Sequence, residues 1–262
     1  MLTKNEIKEI KALGQKKFRD ERRLFVVEGE KLVAEALQSD FDVVAHYHVD
    51  DIGAETMARI SQLTHPSPAL AVVRMPQPET ADDGAPLALD PEELVLALDG
   101  IRDPGNLGTI IRIADWFGIR RILASEDTVE AYNPKVVQAT MGAIFRVRIH
   151  YCDLKREVER MVFRDASISS ASGTKYQSET ERQRMIVYGT FLDGDNIYQT
   201  RLTKGGIIVM GSEANGISPE VAAAVTQKLY IPPFPADAHT SESLNVAVAT
   251  AITVAEFRRR TI

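Results

Sequence analysis

The chain has 262 residues, 44% of them apolar and 26% charged, which gives room for one large or two modest cores and excludes a disordered or fibrous polypeptide. No apolar run is long enough for a membrane span, the start Met-Leu-Thr-Lys-Asn-Glu has no apolar signal core, and one cysteine with five scattered histidines offers neither an internal disulfide nor a metal-ligand spacing. A cytoplasmic, reduced protein without membrane partner or metal is therefore expected, and a net charge of −6 argues against a uniformly basic, nucleic-acid-binding surface.

Residues 4–31 nevertheless carry nine cations, including Lys4, Lys8, Lys16, Lys17, Arg19, Arg22, Arg23 and Lys31, against six acids. This run reads either as a solvated helix face or as a local patch that tracks phosphates. Ile7, Ile10 and Leu13 recur at helical spacing, Leu24–Val27 reads as a strand, and Gly29 opens a helix through Leu37. Val43–Ala45 and Leu70–Val73 read as further strands, with a helix near Glu55–Leu63, so residues 1–74 are expected to form a small α/β domain. Met75 to Pro91 is rich in Pro, Asp and Ala and poor in large apolar residues, which marks 75–92 as a linker.

Residues 93–262 then alternate short apolar strands and helices. Strands are predicted at Leu94–Leu98, Arg121–Leu123, Arg146–Ile149, Met185–Tyr188, Gly206–Met210 and Leu229–Ile231. Helices are predicted at Gly108–Phe117, Pro134–Thr140, Asp153–Phe163 and Leu244 to about Arg260. Strands this short and this apolar belong to a mostly parallel sheet covered by helices on both faces.

Three segments carry the chemistry. The first, Leu98 to Gly118, passes from a strand end through Pro104, Gly105 and Gly108 into a helix, with Asn106 where an N-cap is expected. Ile110, Ile113, Ala114 and Phe117 share one face of that helix, which leaves Arg112 near the centre of the polar face. The second, Gly206 to Gly216, is an apolar strand ending at Gly211, with Glu213 just beyond, where open α/β sheets bind ligands. It matches neither the P-loop nor the dinucleotide fingerprint. The third, Ile231 to Ala249, is a proline-rich loop leading into a helix that is apolar on nearly every side, with Ser243 and Asn245 at its mouth as caps or as site residues. One core does not cover such a helix, and a symmetric dimer would supply the second covering surface.

In this order and at these distances the three segments resemble the signature motifs of the SpoU (TrmH-like) class of RNA ribose 2′-O-methyltransferases within the SPOUT superfamily, over roughly residues 94–258. Phe25-Val-Val-Glu-Gly-Glu-Lys-Leu-Val-Ala-Glu-Ala-Leu37 is similar to the opening of the small RNA-substrate-binding domain carried by ribosomal-RNA members. The resemblance implies an α/β fold of SPOUT type, a knotted, mostly parallel sheet, working as a homodimer in which two subunits build each active site. It implies S-adenosylmethionine as cofactor, contacted by the Thr190 loop, Gly211, Ile231 and Leu244, mostly through backbone groups. It further implies Arg112 as the central catalytic group, with Asn106, Glu213, Ser243 and Asn245 positioning it, the ribose and the cofactor. A guanidinium stays protonated, so its physical role would be to stabilise developing oxyanion and phosphate charge rather than to act as a base. The RNA partner is expected to be ribosomal rather than transfer RNA, the rival reading being an RNA-binding protein that keeps the fold without turnover.

Three departures from the family pattern stand out. The loop from Ile231 to Ser243 is longer than usual and holds His239, and Gln138 and Thr140 replace residues that are often arginine and serine. Cys152 is expected to fill space rather than react.

Overall fold

The computed structural model describes residues 2–77, 90, 92–162, 185–235 and 241–260. In chain order the elements are α1 (Lys4–Ala12), α2 (Lys16–Arg22), β1 (Leu24–Glu28), α3 (Glu30–Gln38), β2 (Val43–His48), α4 (Val49–Ile52), α5 (Ala54–Ile60) and β3 (Ala69–Arg74). They continue with β4 (Leu94–Asp99), α6 (Pro104–Trp116), β5 (Arg121–Ser125), α7 (Pro134–Thr140), a 3-10 turn (Ala143–Phe145), β6 (Arg148–Cys152) and α8 (Leu154–Val162). After these come β7 (Val187–Asn196), β8 (Gly206–Gly211), α9 (Pro219–Ala222), β9 (Gln227–Tyr230) and α10 (Val246–Arg259).

The chain divides into two compact units. The first comprises the described residues of Met1–Pro78 together with Asp103–Asp115 and Val129–Arg148. Its antiparallel sheet has the order β1-β3-β2. Thr3 and Glu6 close a capping box at the start of α1, so Ile7 and Ile10 can bury against Leu13, Val26, Met57, Ile60, Leu70 and Val72. The strand period of two sends Phe25 to the opposite side from Val26. There its ring meets Tyr132 at 4.7 Å and Phe41 at 6.3 Å, and Phe41 meets Phe145 at 5.2 Å. Burial pushes the Tyr132 phenol up to about 12.

Helix α2 was not legible in advance because its inward residue is a charge: in Lys-Lys-Phe-Arg-Asp-Glu-Arg it is Arg19 that is buried. At 2% exposure its Nε and Nη2 donate to both carboxylate oxygens of Glu130 at 3.0 and 2.6 Å, and Nη1 donates to the Leu13 carbonyl at 2.9 Å. A guanidinium is tolerated inside only when paired this completely. Arg19 therefore leaves the proposed basic patch. Lys11, Lys16 and Arg22 are engaged by the Ser61 carbonyl, Asp20 and Glu9, while Lys4, Lys8, Lys17 and Lys31 remain exposed. Gln138 donates to the Glu28 carbonyl at 2.8 Å and Thr140 is fully buried, bonded to the Val137 carbonyl at 2.7 Å, so both have internal structural partners.

The second unit, Glu79–Arg102, Trp116–Thr128 and Ile149–Ile262 in its described residues, holds a six-stranded sheet of order β6-β5-β4-β8-β7-β9. The pairs β4–β5, β4–β8, β7–β8 and β7–β9 are parallel. Every residue of β4 is buried, as expected of a central parallel strand. Val95, Ala97, Val187, Ile207 and Val209 face one way, against Leu154, Val158 and Met161 of α8 and Val221 of α9. Tyr188 faces the other way, where its ring packs edge-on against Phe257 of α10 at 4.9 Å. The sheet is thus covered on both faces, as the sequence led us to expect.

Two boundaries differ from expectation. Strand β7 does not stop at Tyr188 but runs to Asn196 through an irregularity in which Thr190 and Asp195 both pair with Leu229. Helix α6 begins at Pro104 rather than Gly108, since Asp103 provides the cap and proline suits the first helical position. Of the expected linker, Met75 is buried and donates to the Arg23 carbonyl at 2.9 Å, whereas 78–89 and 91 lie outside the described residues. His239 lies outside them as well.

Candidate active site

Helix α6 buries Leu107, Gly108, Ile110, Ile111 and Ala114, so its apolar face includes Leu107 and Ile111, which the wheel built on Ile110, Ile113, Ala114 and Phe117 left out. Gly108 is needed for packing: an added Cβ would lie 2.4 Å from the Ala139 Cβ and 3.0 Å from the Val136 carbonyl oxygen. Asn106 does not cap the helix. It sits inside the first turn, and its N–H donates to the Asp103 carboxylate at 2.8 Å. Thr109, Arg112 and Trp116 form the open stripe of α6. Arg112 makes no hydrogen bond or ion pair among the described residues, and Trp116, one turn further on, is 85% exposed. The exposed tryptophan was not singled out from the sequence. Its signal was its position at i+4 from Arg112.

The second and third segments meet in the second unit. Strand β8 ends at Gly211 opposite Asp99, and the chain turns so tightly that Ser212 and Gly216 exchange backbone hydrogen bonds of 3.0 and 2.9 Å. A Cβ on Gly211 would fall 2.1 Å from the Gly216 carbonyl carbon, so only glycine fits there. Asp99 secures the far side of the turn by accepting the Ser218 N–H at 2.7 Å. Glu213 is held outward on the turn, where its Oε1 accepts from Asn245 Nδ2 at 3.2 Å. The Asn245 Oδ1 accepts from the Ala247 and Val248 N–H groups at 3.0 and 3.3 Å, so one side chain both caps α10 and reaches Glu213. Ser243 is exposed two residues before and takes no part in the cap.

Gly211 and Ile231 stand at or just past the carboxyl ends of β8 and β9, and Thr190 stands where the first stretch of β7, the strand between them, breaks its pairing. All three are half-buried, whereas Leu244 is 44% exposed. The Thr190 hydroxyl points to the Met210 sulfur at 3.8 Å. Beyond Thr190 the irregular part of β7 projects Phe191 to Gly194. Asp193 pairs there with Lys228 at 2.7 Å, and the Lys228 ammonium lies 4.8 Å from the Phe191 ring centre. Sequence reasoning missed this projection, because it ends the strand at Tyr188.

Comparison with known proteins decides between the chemistries such an edge could serve. Residues 93–255 match the SpoU rRNA Methylase family, and residues 4–69 match the MRM3-like substrate binding domain. The chain belongs to the SpoU family. It is 29% identical over 97% of its length to the 23S rRNA (guanosine(2553)-2′-O)-methyltransferase RlmP of Bacillus subtilis, covering 96% of that protein. A solved structure of a TrmH-family protein from Porphyromonas gingivalis superposes with a TM-score of 0.79 at 37% identity, over 99% of both chains. The AdoMet-bound rRNA methyltransferase of Sinorhizobium meliloti superposes with a TM-score of 0.77 at 28% identity, over 100% of this chain and 97% of that one.

The protein is accordingly an S-adenosylmethionine-dependent RNA methyltransferase with the SPOUT-type fold of the SpoU class. The strand-end edge suits that cofactor. Thr190, Gly211, Ile231 and Leu244 are uncharged, so none repels a sulfonium, and the tight turn at Gly211 has room for backbone but not for a side chain. Among the described residues no cluster of three or more His, Cys, Asp or Glu side chains could hold a metal. No helix there is long and apolar enough to cross a membrane. Elsewhere in the SpoU unit, burial and the nearby Glu157 and Asp153 push the Cys152 thiol up to about 12, which keeps it protonated and poorly nucleophilic.

Proposed function

We propose that this SpoU enzyme methylates a ribose 2′-hydroxyl of ribosomal RNA, 23S RNA in particular, as the name of the Bacillus subtilis relative states for that protein. The observation that carries the reading is the Asn245–Glu213 hydrogen bond, which joins two signature segments beside the strand ends that suit the cofactor. S-adenosylmethionine supplies an electrophilic methyl group, and the protein must orient the hydroxyl, assist loss of its proton and stabilise the charge that develops.

Arg112 takes the last of these tasks. Its guanidinium is exposed and uncommitted among the described residues, so no internal carboxylate competes with a phosphate or an oxyanion for its donors. Glu213 lies on the turn that follows Gly211. Held by Asn245, it has an oxygen placed to orient the ribose or to balance cofactor charge. Asn106, in the first turn of α6, and Ser243, at the approach to α10, complete the positioning set. Thr190, Gly211, Ile231 and Leu244 hold the cofactor.

Residues 1–74 form the RNA-binding module and 93–262 the catalytic domain, joined through 75–92, in a cytoplasmic homodimer. Leu244 and Val248 are 44% and 49% exposed, and Ile252 and Ala255 continue their stripe along α10 half-buried, an apolar surface suited to a second copy. Incubating the protein with radiolabelled methyl donor and unmodified ribosomal or transfer RNA tests the proposal. Label should enter a single 2′-O position of ribosomal RNA, and label confined to transfer RNA or to a base would refute it.

A further inference from the structure

Arg146 follows the 3-10 turn after α7 and is claimed by two carboxylates far apart in the sequence. Its Nε lies 3.0 Å from both oxygens of Asp115, its Nη2 lies 2.9 Å from Asp115 Oδ2, and its Nη1 donates to Glu35 Oε2. Asp115 is on α6, three residues after Arg112 and therefore on an adjoining helix surface. Glu35 is on α3, within the segment that matches the substrate-binding domain. The contact is shaped on both sides. Gly142 adopts φ 97°, and a Cβ there would stand 3.1 Å from the Glu35 Cγ, so the Glu35 side chain lies against bare backbone. Both acids hold the guanidinium charged, Asp115 more strongly than Glu35.

The other polar ties of the amino-terminal module run elsewhere. Arg19 reaches Glu130, and Gln138 reaches Glu28. Those contacts hold α2 and β1 to the segment around α7, whereas Arg146 alone among the described residues bridges an acid of the module to an acid of α6. Its geometry is fixed, since a planar guanidinium with parallel bonds to Asp115 restrains rotation of that side chain far more than an ammonium would.

We infer that Arg146 is a positioning residue for methyl transfer: by bridging Glu35 and Asp115 it holds the Arg112 helix in one setting relative to the RNA-binding module. This rests on the assignment of Arg112 as the charge-stabilising group. RNA seated on the module then meets Arg112 in a fixed orientation, and misplacement by a fraction of a helical turn costs turnover rather than binding.

The test is steady-state methylation of ribosomal RNA by the full-length protein carrying Arg146→Met, Arg146→Lys, Glu35→Ala or Arg112→Ala. Arg146→Met should lower kcat roughly ten- to a hundredfold, with KM for RNA and for S-adenosylmethionine within about twofold of wild type. Arg146→Lys, able to engage one acid at a time, should fall between. Glu35→Ala combined with Arg146→Met should be no worse than Arg146→Met alone, because both break the same bridge. All three side chains are partly exposed, so each variant should melt within a few degrees of wild type. If Arg146→Met instead raises KM for RNA and flattens its salt dependence, Arg146 binds phosphate directly and the positioning role is wrong. Unchanged kcat in a folded Arg146→Met protein, with Arg112→Ala inactive, overturns the bridge alone, whereas an active Arg112→Ala overturns the catalytic assignment and the bridge together.

Discussion

Asn245 and Glu213, 32 positions apart, are joined by a 3.2 Å hydrogen bond from Nδ2 to Oε1, and the same asparagine caps α10 through its other atom. The two duties can be separated. Asn245→Asp keeps an equally good cap but sets a second carboxylate against Glu213, so the melting temperature should stay near wild type while methyl transfer drops at least about tenfold. Asn245→Ala should also lose about 1 kcal/mol of stability by thermal denaturation. Full activity in Asn245→Asp would show that the contact with Glu213 does not matter.

Arg112 is exposed and makes no hydrogen bond or ion pair among the described residues, so Arg112→Ala should leave circular dichroism and calorimetric binding of S-adenosylmethionine unchanged while reducing methyl transfer by about two orders of magnitude or more. Arg112→Lys should recover little, because an ammonium lacks the planar fork. Wild-type turnover in either variant would remove Arg112 from the mechanism.

Gly211 and Gly216 share a turn but differ in tolerance. A methyl at 211 meets backbone at 2.1 Å, so Gly211→Ala should cost roughly 1–3 kcal/mol or more and abolish cofactor binding. Nothing lies within 4 Å of a Cβ at 216, where φ is 66°, so Gly216→Asn should fold and bind. Equal behaviour of the two variants by calorimetry would contradict this account of the turn.

If the open stripe of α10 faces a second copy, Val248→Glu should convert the protein to monomers in sedimentation analysis and suppress activity. The reference is Leu192→Glu, equally apolar in origin and 72% exposed but on the β7 projection, which should leave the mass unchanged. A wild-type protein that sediments as a monomer would end the proposal.

Glu256, 6% exposed on α10, is paired with Arg259 and Arg260, and the Arg259 hydrogen bond is the larger cause of its lowered pKa. A carboxyl depressed on folding contributes stability that is complete above its unfolded value, about 4.3, and is lost as pH falls through the lower folded value. Wild type should therefore lose melting temperature through that acidic window more steeply than Glu256→Gln. Parallel curves would show that the pairing adds nothing.

Much of the architecture could be read directly. Fully apolar runs such as Leu94–Leu98 can only be central strands, and the glycine-bounded turns mark strand ends in any parallel sheet. Charge hid the rest. Helix α2 buries an arginine, which hydrophobic periodicity scores as surface, and beside the Phe25–Tyr132 and Phe41–Phe145 ring contacts the ties from 129–148 to the amino-terminal module run through Arg19, Gln138 and Arg146, which carry no apolar signal. Asn106 was misplaced as a cap because Asp103, three residues earlier, is an equally good one and Pro104 favours the earlier start. The projection at Phe191–Gly194 was missed because a strand that breaks and pairs again has no period of its own.

The sealed Arg19–Glu130 pair also bears on how the protein is made. A ribosome releases Arg19 111 positions ahead of its partner, and until then the nascent amino-terminal module carries a guanidinium with no acid to neutralise it inside. Stalled chains ending before residue 129 should consequently stay open to proteases, and those extended past 148 and clear of the exit tunnel should resist, so synthesis of the catalytic half times the maturation of the half that precedes it.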